Sequence, residues 1–178
     1  MMNNEVPDFH LIRQVCNGQK ECFTLIYDRY SFRLMRYLGT MLRDQELIAD
    51  VAQDVWVKVF QNVKKYRPGG SFVSWLFTIA RNTTIDFIRK SKGKPTALQS
   101  LLPEAELIET FPANNPGPHE VFKDEPECLR SLSPLMREVL LLRVVEELPY
   151  KEISEITGLS ADRLRRIVFD AKRLIREV

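Results

Sequence analysis

Histidine and cysteine are scarce in this chain: its 178 residues include two of the former and three of the latter. His10 and His119 stand far apart, and Cys16, Cys22 and Cys128 are odd in number and form no CxxC pair. A zinc site, a disulfide framework and a histidine-based acid/base centre all lack their parts, so the thiols are expected to be buried or incidental. No stretch approaches the roughly 18 consecutive apolar residues that a membrane span needs. The opening residues, MMNNEVPDFH, lack a basic-then-apolar signal pattern, and the expectation is a cytoplasmic protein with no membrane insertion of its own. There is no G-x-x-x-x-G-K-[ST] loop to cradle phosphates. The carboxylates fall on helix surfaces beside basic residues, so no metal, no cofactor and no enzymatic activity are expected.

What is present is ordinary globular material, 44% hydrophobic and 28% charged, enough for one or two domains. The net charge of +2 conceals an uneven distribution. Residues 1–94 carry about +6, residues 95–127 about −6, and the remainder about +2. Basic, acidic and mildly basic blocks imply two modules that face nucleic acid, joined by a connector that avoids it.

Helical periodicity runs through both basic blocks. A short helix is expected after Pro7-Asp8 and ends at Asn17-Gly18. A second, over residues 19–42, buries Phe23, Leu25, Ile26, Tyr30, Leu34, Tyr37, Leu38 and Leu42, with Arg29, Arg33, Arg36 and Arg43 mostly left to solvent. Asp44 caps a third, in which Asp50, Gln53, Asp54, Val57 and Gln61 share one face at three- and four-residue spacing. An apolar residue flanked by acids and an amide suits a basic partner.

Tyr66-Arg67-Pro68-Gly69-Gly70 then breaks the helix and leads into SFVSWLFTIARNTTIDFIRKSK, residues 71–92, with Ser71 as N-cap. Phe72, Trp75, Leu76, Ile79, Ala80 and Thr83 form its core stripe. Arg81, Asn82, Asp86, Arg89, Lys90, Lys92 and Lys94 crowd its second half among Trp75, Phe77 and Phe87. Cations, flat rings and an amide are the materials of a groove for single-stranded nucleic acid.

Residues 95–118 shift to Pro, Asn, Ala and Glu with little periodicity and read as a mostly extended acidic linker. Four helices follow by pattern, over residues 126–132, 134–145, 150–157 and 161–177. The last two flank Gly158-Leu159-Ser160, a helix-turn-helix arrangement that can present its second helix to a major groove.

DRYSFRLMRYL, then D-x-x-Q-D-x-W-x-K-x-F from Asp50, then YRPGGSFVSWLFTIARNTTIDFIRK together resemble domain 2 of the extracytoplasmic-function (ECF, group IV) sigma factors of bacterial RNA polymerase. LSPLMREVLLLRVVEELPYKEISEITGLSADRLRRIVFDAKRLIRE is similar to their domain 4. The resemblance implies an all-α fold of two helical domains: a domain 2 helix bundle over residues 1–94 and a domain 4 helix-turn-helix over residues 124–178, with the linker at 95–123. The implied function is transcription initiation. Asp50, Gln53, Asp54, Trp56 and Val57 would dock on the β′ clamp helices of core polymerase. Tyr66, Arg67, Ser71, Phe72, Trp75, Arg81, Asn82, Asp86, Arg89 and Lys90 would bind the −10 promoter DNA. Ser160, Arg163, Arg165, Arg166 and Lys172 would bind the −35 element near the β flap. In such a family the acidic linker threads the polymerase cleft toward the RNA exit path, and an anti-sigma factor is the usual inhibitor. Two departures bear on specificity. Ile167 and Asp170 stand where arginines are usual, Asp170 needing a partner such as Arg166 or Arg173, and Val73 stands where a basic residue is common. The competing expectation is a stand-alone helix-turn-helix regulator whose first 94 residues serve oligomerisation or sensing; it would bind duplex DNA tightly without polymerase.

Overall fold

The computed structural model of the chain describes residues 6–67, 70–91, 129 and 131–176. The linker at 95–123, the expected helix at 126–132 (all but residues 129, 131 and 132), Pro68, Gly69, Lys92, Lys94 and Cys128 lie outside the described residues. Among those described there are seven α-helices and no strands. They are α1 (Asp8–Cys16), α2 (Glu21–Gly39), α3 (Gln45–Asn62), α4 (Phe72–Ser91), α5 (Pro134–Leu140), α6 (Tyr150–Thr157) and α7 (Ala161–Arg176).

Their starts are fixed by short polar side chains that accept from otherwise unpartnered N–H groups of the first turn. The Asp44 carboxylate accepts from the amides of Glu46 (2.9 Å) and Leu47 (3.2 Å) at the head of α3. The hydroxyls of Ser71, Ser133 and Ser160 accept from Ser74 (3.3 Å), Met136 (3.3 Å) and Arg163 (3.4 Å) and cap α4, α5 and α7. Gly158 ends α6 at φ 72°, a left-handed turn that a β-carbon would strain.

Helices α1 to α4 pack around Phe23, Ile26, Leu34, Tyr37, Ile48, Val55, Leu76 and Phe77, all sealed from solvent. Each such side chain contributes roughly 1.5–3 kcal/mol through burial. Phe23 meets Trp56 and Phe60 edge-on, with ring centroids 5.8 and 5.1 Å apart, and Tyr37 stacks on Phe77 at 4.5 Å. At the base, the Asp8 carboxylate accepts from the Tyr30 hydroxyl at 2.5 Å and pairs with Arg29, tying α1 to α2. Burial first, and then Asp8, push the Tyr30 phenol well above its ordinary value. Leu25 departs from the expected stripe. It is exposed, because at roughly 100° per residue it lies about half a turn away from the core-facing line of α2 through Phe23, Tyr30 and Leu34.

The C-terminal helices enclose Leu142, Ile153, Leu164 and Ala171. Helix α5 widens into a π turn at Leu141–Val145, and Glu147 just beyond it takes a left-handed φ of 55°. This bend returns the chain toward α2. The whole C-terminal module rests on the N-terminal one, with α6 lying along α4. Glu146 accepts from Arg33 Nε (2.7 Å) and Arg36 Nη2 (2.9 Å), and Glu138 accepts from the Tyr37 hydroxyl (2.7 Å) and Arg81 Nε (2.9 Å). Arg137 donates to the Thr40 carbonyl at 3.1 Å, setting a cation at the negative end of α2. The Ser74 hydroxyl donates to Glu152. Arg33 and Arg36 are thus not solvated as expected. Their acceptor lies more than a hundred residues away, beyond the reach of any local pattern.

Candidate nucleic-acid interface

Three surfaces carry the polar residues that the core does not use. The first is a groove of about 290 Å³ between α3 and α4, lined by Lys58, Asn62, Lys65, Trp75, Ile79, Asn82, Thr83 and Asp86. One wall is α4 from Trp75 to Asp86. The other is the last turn of α3 with the 3₁₀ turn Val63–Lys65. Lys58 Nζ donates to the Thr83 hydroxyl at 3.1 Å and bridges the walls, and the Asn62 side-chain amide donates to the Lys58 carbonyl at 2.8 Å. Asn82 and Asp86 are exposed one helical turn apart on the opposite wall. Asp86 has Arg89 beside it at 3.7 Å, both open to solvent, and Lys90 is also exposed.

At the mouth, Tyr66, Phe72 and Trp75 form an aromatic cluster with centroids 5.5–5.7 Å apart, and the Tyr66 hydroxyl donates to the Gly70 carbonyl at 2.6 Å, closing the loop. Burial, and secondarily Asp8, raise the Tyr66 phenol, so it stays a neutral donor. Arg67 is exposed at this mouth, and Ser71 is spent on capping α4.

Several residues expected here do other work. Phe72, 3% exposed, packs on Tyr30 and supports Tyr66 and Trp75 from below. Phe77 is sealed against Tyr37 and offers no face for stacking. Arg81 is only 21% exposed, held by Glu138 across the module seam. Conversely, Lys58, Asn62 and Lys65 were not expected. Their signal was present in sequence: 58, 62 and 65 recur at four- and three-residue spacing, one helical edge facing the basic end of α4.

The second surface is on α3, where Asp50, Gln53 and Gln61 are exposed and Asp54 and Val57 half-buried. Partial burial raises the Asp54 carboxyl, Asp50 adding to this while Lys58 and Lys90 oppose it. Trp56 is not on this face. It is 3% exposed, inserted between Phe23 and Tyr27, because it projects from the buried side of α3 next to Val55 and Val59. The third surface is the outer face of α7, where Ser160, Arg163, Arg165, Arg166 and Lys172 are all exposed. Arg165 pairs with Asp162 at 2.6 Å and lies over the Tyr150 ring, which Arg143 also approaches, at 5.4 and 5.1 Å. Ile167 and Asp170 are half-buried.

Cys16 and Cys22 are free thiols. Among the described residues no group of three or more His, Cys, Asp or Glu could hold a metal ion, and no helix is long and apolar enough to cross a membrane.

The chain matches the family Sigma-70 region 2 over residues 26–94 and the family Sigma-70, region 4 over residues 126–175. Its relatives include the ECF RNA polymerase sigma-E factor of Haemophilus influenzae, 25% identical over 98% of this chain and 96% of the relative. The ECF RNA polymerase sigma factor SigM of Bacillus subtilis is 27% identical over 85% and 91%. Among solved structures, CnrH in complex with the cytosolic domain of CnrY superposes with a TM-score of 0.64 at 20% identity, covering 96% of this chain and 95% of that one. The sigma factor RpoE of Bartonella quintana, solved with the anti-sigma factor NepR, gives 0.62 at 20% identity over 87% and 94%. At that identity the two structures speak for the fold.

Proposed function

This chain belongs to the extracytoplasmic-function sigma factors of bacterial RNA polymerase, and from that membership we propose which surfaces carry each step of initiation. A factor of this family works by binding: it joins core polymerase, directs it to specific promoters, recognises and melts the −10 element and binds the −35 element. The site of action is the cytoplasm, and no reaction of its own is assigned to the chain.

The α3 face of Asp50, Gln53, Asp54 and Val57 docks on the β′ clamp helices. Its support is the exposure of Asp50 and Gln53, together with an acidic and amide character that suits a basic surface. Changing Asp50 and Gln53 together to alanine is expected to weaken association with core polymerase about tenfold or more, with the melting temperature unchanged because both lie on the surface. Unaltered affinity in a fluorescence-anisotropy titration would move the docking face elsewhere.

The groove between α3 and α4 receives an extruded base of the −10 non-template strand. The observation that carries this reading is its lining: an exposed amide and carboxylate on one wall, lysines on the other, and Trp75 offering a ring at the mouth. Its volume is near the lower end of the roughly 300–1,000 Å³ typical of small-molecule pockets, suited to one planar group. Unstacking a base costs a few kcal/mol, which stacking, amide hydrogen bonds and phosphate neutralisation by Arg67, Arg89, Lys90 and Lys65 offset. Helix α7 enters the −35 major groove, Arg163, Arg166 and Lys172 meeting phosphates or base edges and Arg165 following once it leaves Asp162. The domain 4 module also meets the β flap. The acidic linker at 95–123 occupies the basic channel that later holds RNA. An inhibitory protein of the anti-sigma kind, the kind of partner with which RpoE was solved, covers these surfaces until a signal arrives.

Reconstitution with core polymerase and sequencing of the transcripts started is the direct test. Promoter-specific starts are expected; tight duplex binding by the free chain and no starts with polymerase would favour a stand-alone regulator, a reading that leaves the region 2 match unexplained.

A further inference from the structure

One line of side chains on α7 faces the solvent squarely. Asp162, Arg166, Phe169 and Arg173 recur at four- and three-residue spacing on the side opposite the buried Leu164, Val168 and Ala171, and all four are exposed. Arg163 flanks the line on one side, Arg165 and Lys172 on the other. The arginines suit a phosphate-bearing partner. Asp162 does not. Its side chain is 93% exposed and stands in the first turn of α7, the part of a recognition helix that meets base edges between two rows of phosphates. A carboxylate there weakens binding to any DNA.

The fold itself gains little from Asp162. It pairs with Arg165 at 2.6 Å, both side chains open to solvent, and an ion pair so exposed adds little stability. The start of the helix is already capped, since the Ser160 hydroxyl accepts from the Arg163 amide at 3.4 Å. An acid near the positive end of the helix dipole is favourable, but only slightly at so exposed a position. The pair is thus easily exchanged. Arg165, which also lies over the Tyr150 ring at 5.4 Å, can turn to a phosphate when DNA arrives.

The carboxylate must then find another donor, because it accepts hydrogen bonds and cannot give them. Base edges in the major groove differ sharply in this respect. Guanine presents N7 and O6 and thymine O4, all acceptors; adenine sets the acceptor N7 beside its amino group; cytosine shows its N4 amino group alone. We propose that Asp162 is a specificity-determining residue: on leaving Arg165, its carboxylate accepts from the N4 amino group of one cytosine in the upstream promoter element and disfavours every other base there. The proposal rests on the assignment of α7 to the −35 duplex.

The test offers holoenzyme, assembled from core polymerase and the full chain, a promoter library randomised through the −35 region, and sequences the bound fraction. Wild type should favour cytosine about fivefold or more over the other bases at one position, the size of a single good base contact. Asp162→Ala should flatten that position alone and bind the whole pool at least as tightly as wild type. Asp162→Asn should turn the preference to adenine, whose N6 and N7 a carboxamide meets together. Glu155→Gln, which takes an exposed charge from α6, should leave every preference in place. A carboxylate that serves only the start of α7 would behave otherwise: Asp162→Ala would lower the melting temperature and scale all sites alike, and the proposal would fall. It falls too if Glu155→Gln flattens the same position. Upstream selection that persists in Asp162→Ala but is lost in Arg166→Ala removes Asp162 as a reader and leaves α7 in the groove. No upstream selection by wild type removes both.

Discussion

Trp56→Ala should remove about 3–5 kcal/mol from the stability of the fold, the usual cost of truncating a buried aromatic to alanine. Against the roughly 5–15 kcal/mol that a domain has in total, this leaves a population measurably unfolded at physiological temperature. The residue is 3% exposed and meets both Phe23 and Tyr27, so the loss combines lost burial with a cavity beneath α2. Trp56→Phe should recover much of it by keeping the edge-on contact with Phe23. Urea unfolding followed by circular dichroism checks both. A Trp56→Ala chain as stable as wild type but unable to bind polymerase would return this residue to the docking surface, where its sequence context first suggests it belongs.

Asn82→Ala is the functional counterpart. Asn82 is exposed on the groove wall, and its loss should leave stability and polymerase affinity unchanged. Open-complex formation, read by permanganate footprinting of the melted strand, should fall by about five- to a hundredfold, corresponding to the ~1–3 kcal/mol of a good amide-to-base contact. Equal losses in polymerase binding and in opening would make the residue structural.

Local chemistry made much of this fold legible. Asp44, Ser71 and Ser160 mark helix starts because a cap needs only the two or three residues that follow it. Gly158 marks a helix end for the same reason. The exposed members of the α3 face follow from period, and the cations of α7 came with the family resemblance. What escaped depends on contacts remote in sequence. Arg33 and Arg36 look like any solvated arginines until Glu146 arrives from the far module, and Arg81 looks available until Glu138 takes it. Trp56, which the family resemblance put on the docking surface, is turned inward beside Val55 and Val59. The α3 wall of the groove went unseen because Lys58, Asn62 and Lys65 acquire meaning only when α4 lies alongside them.

The chain has two tryptophans, and the fold treats them in opposite ways: one is sealed in the core, the other lines the α3/α4 groove half in solvent. Intrinsic emission therefore divides into a constant background from Trp56 and a responsive part from Trp75. Acrylamide reaches only the second indole, and a base stacked at the groove mouth would darken it without a label. If the groove takes a base as proposed, Trp75 is its built-in optical gauge.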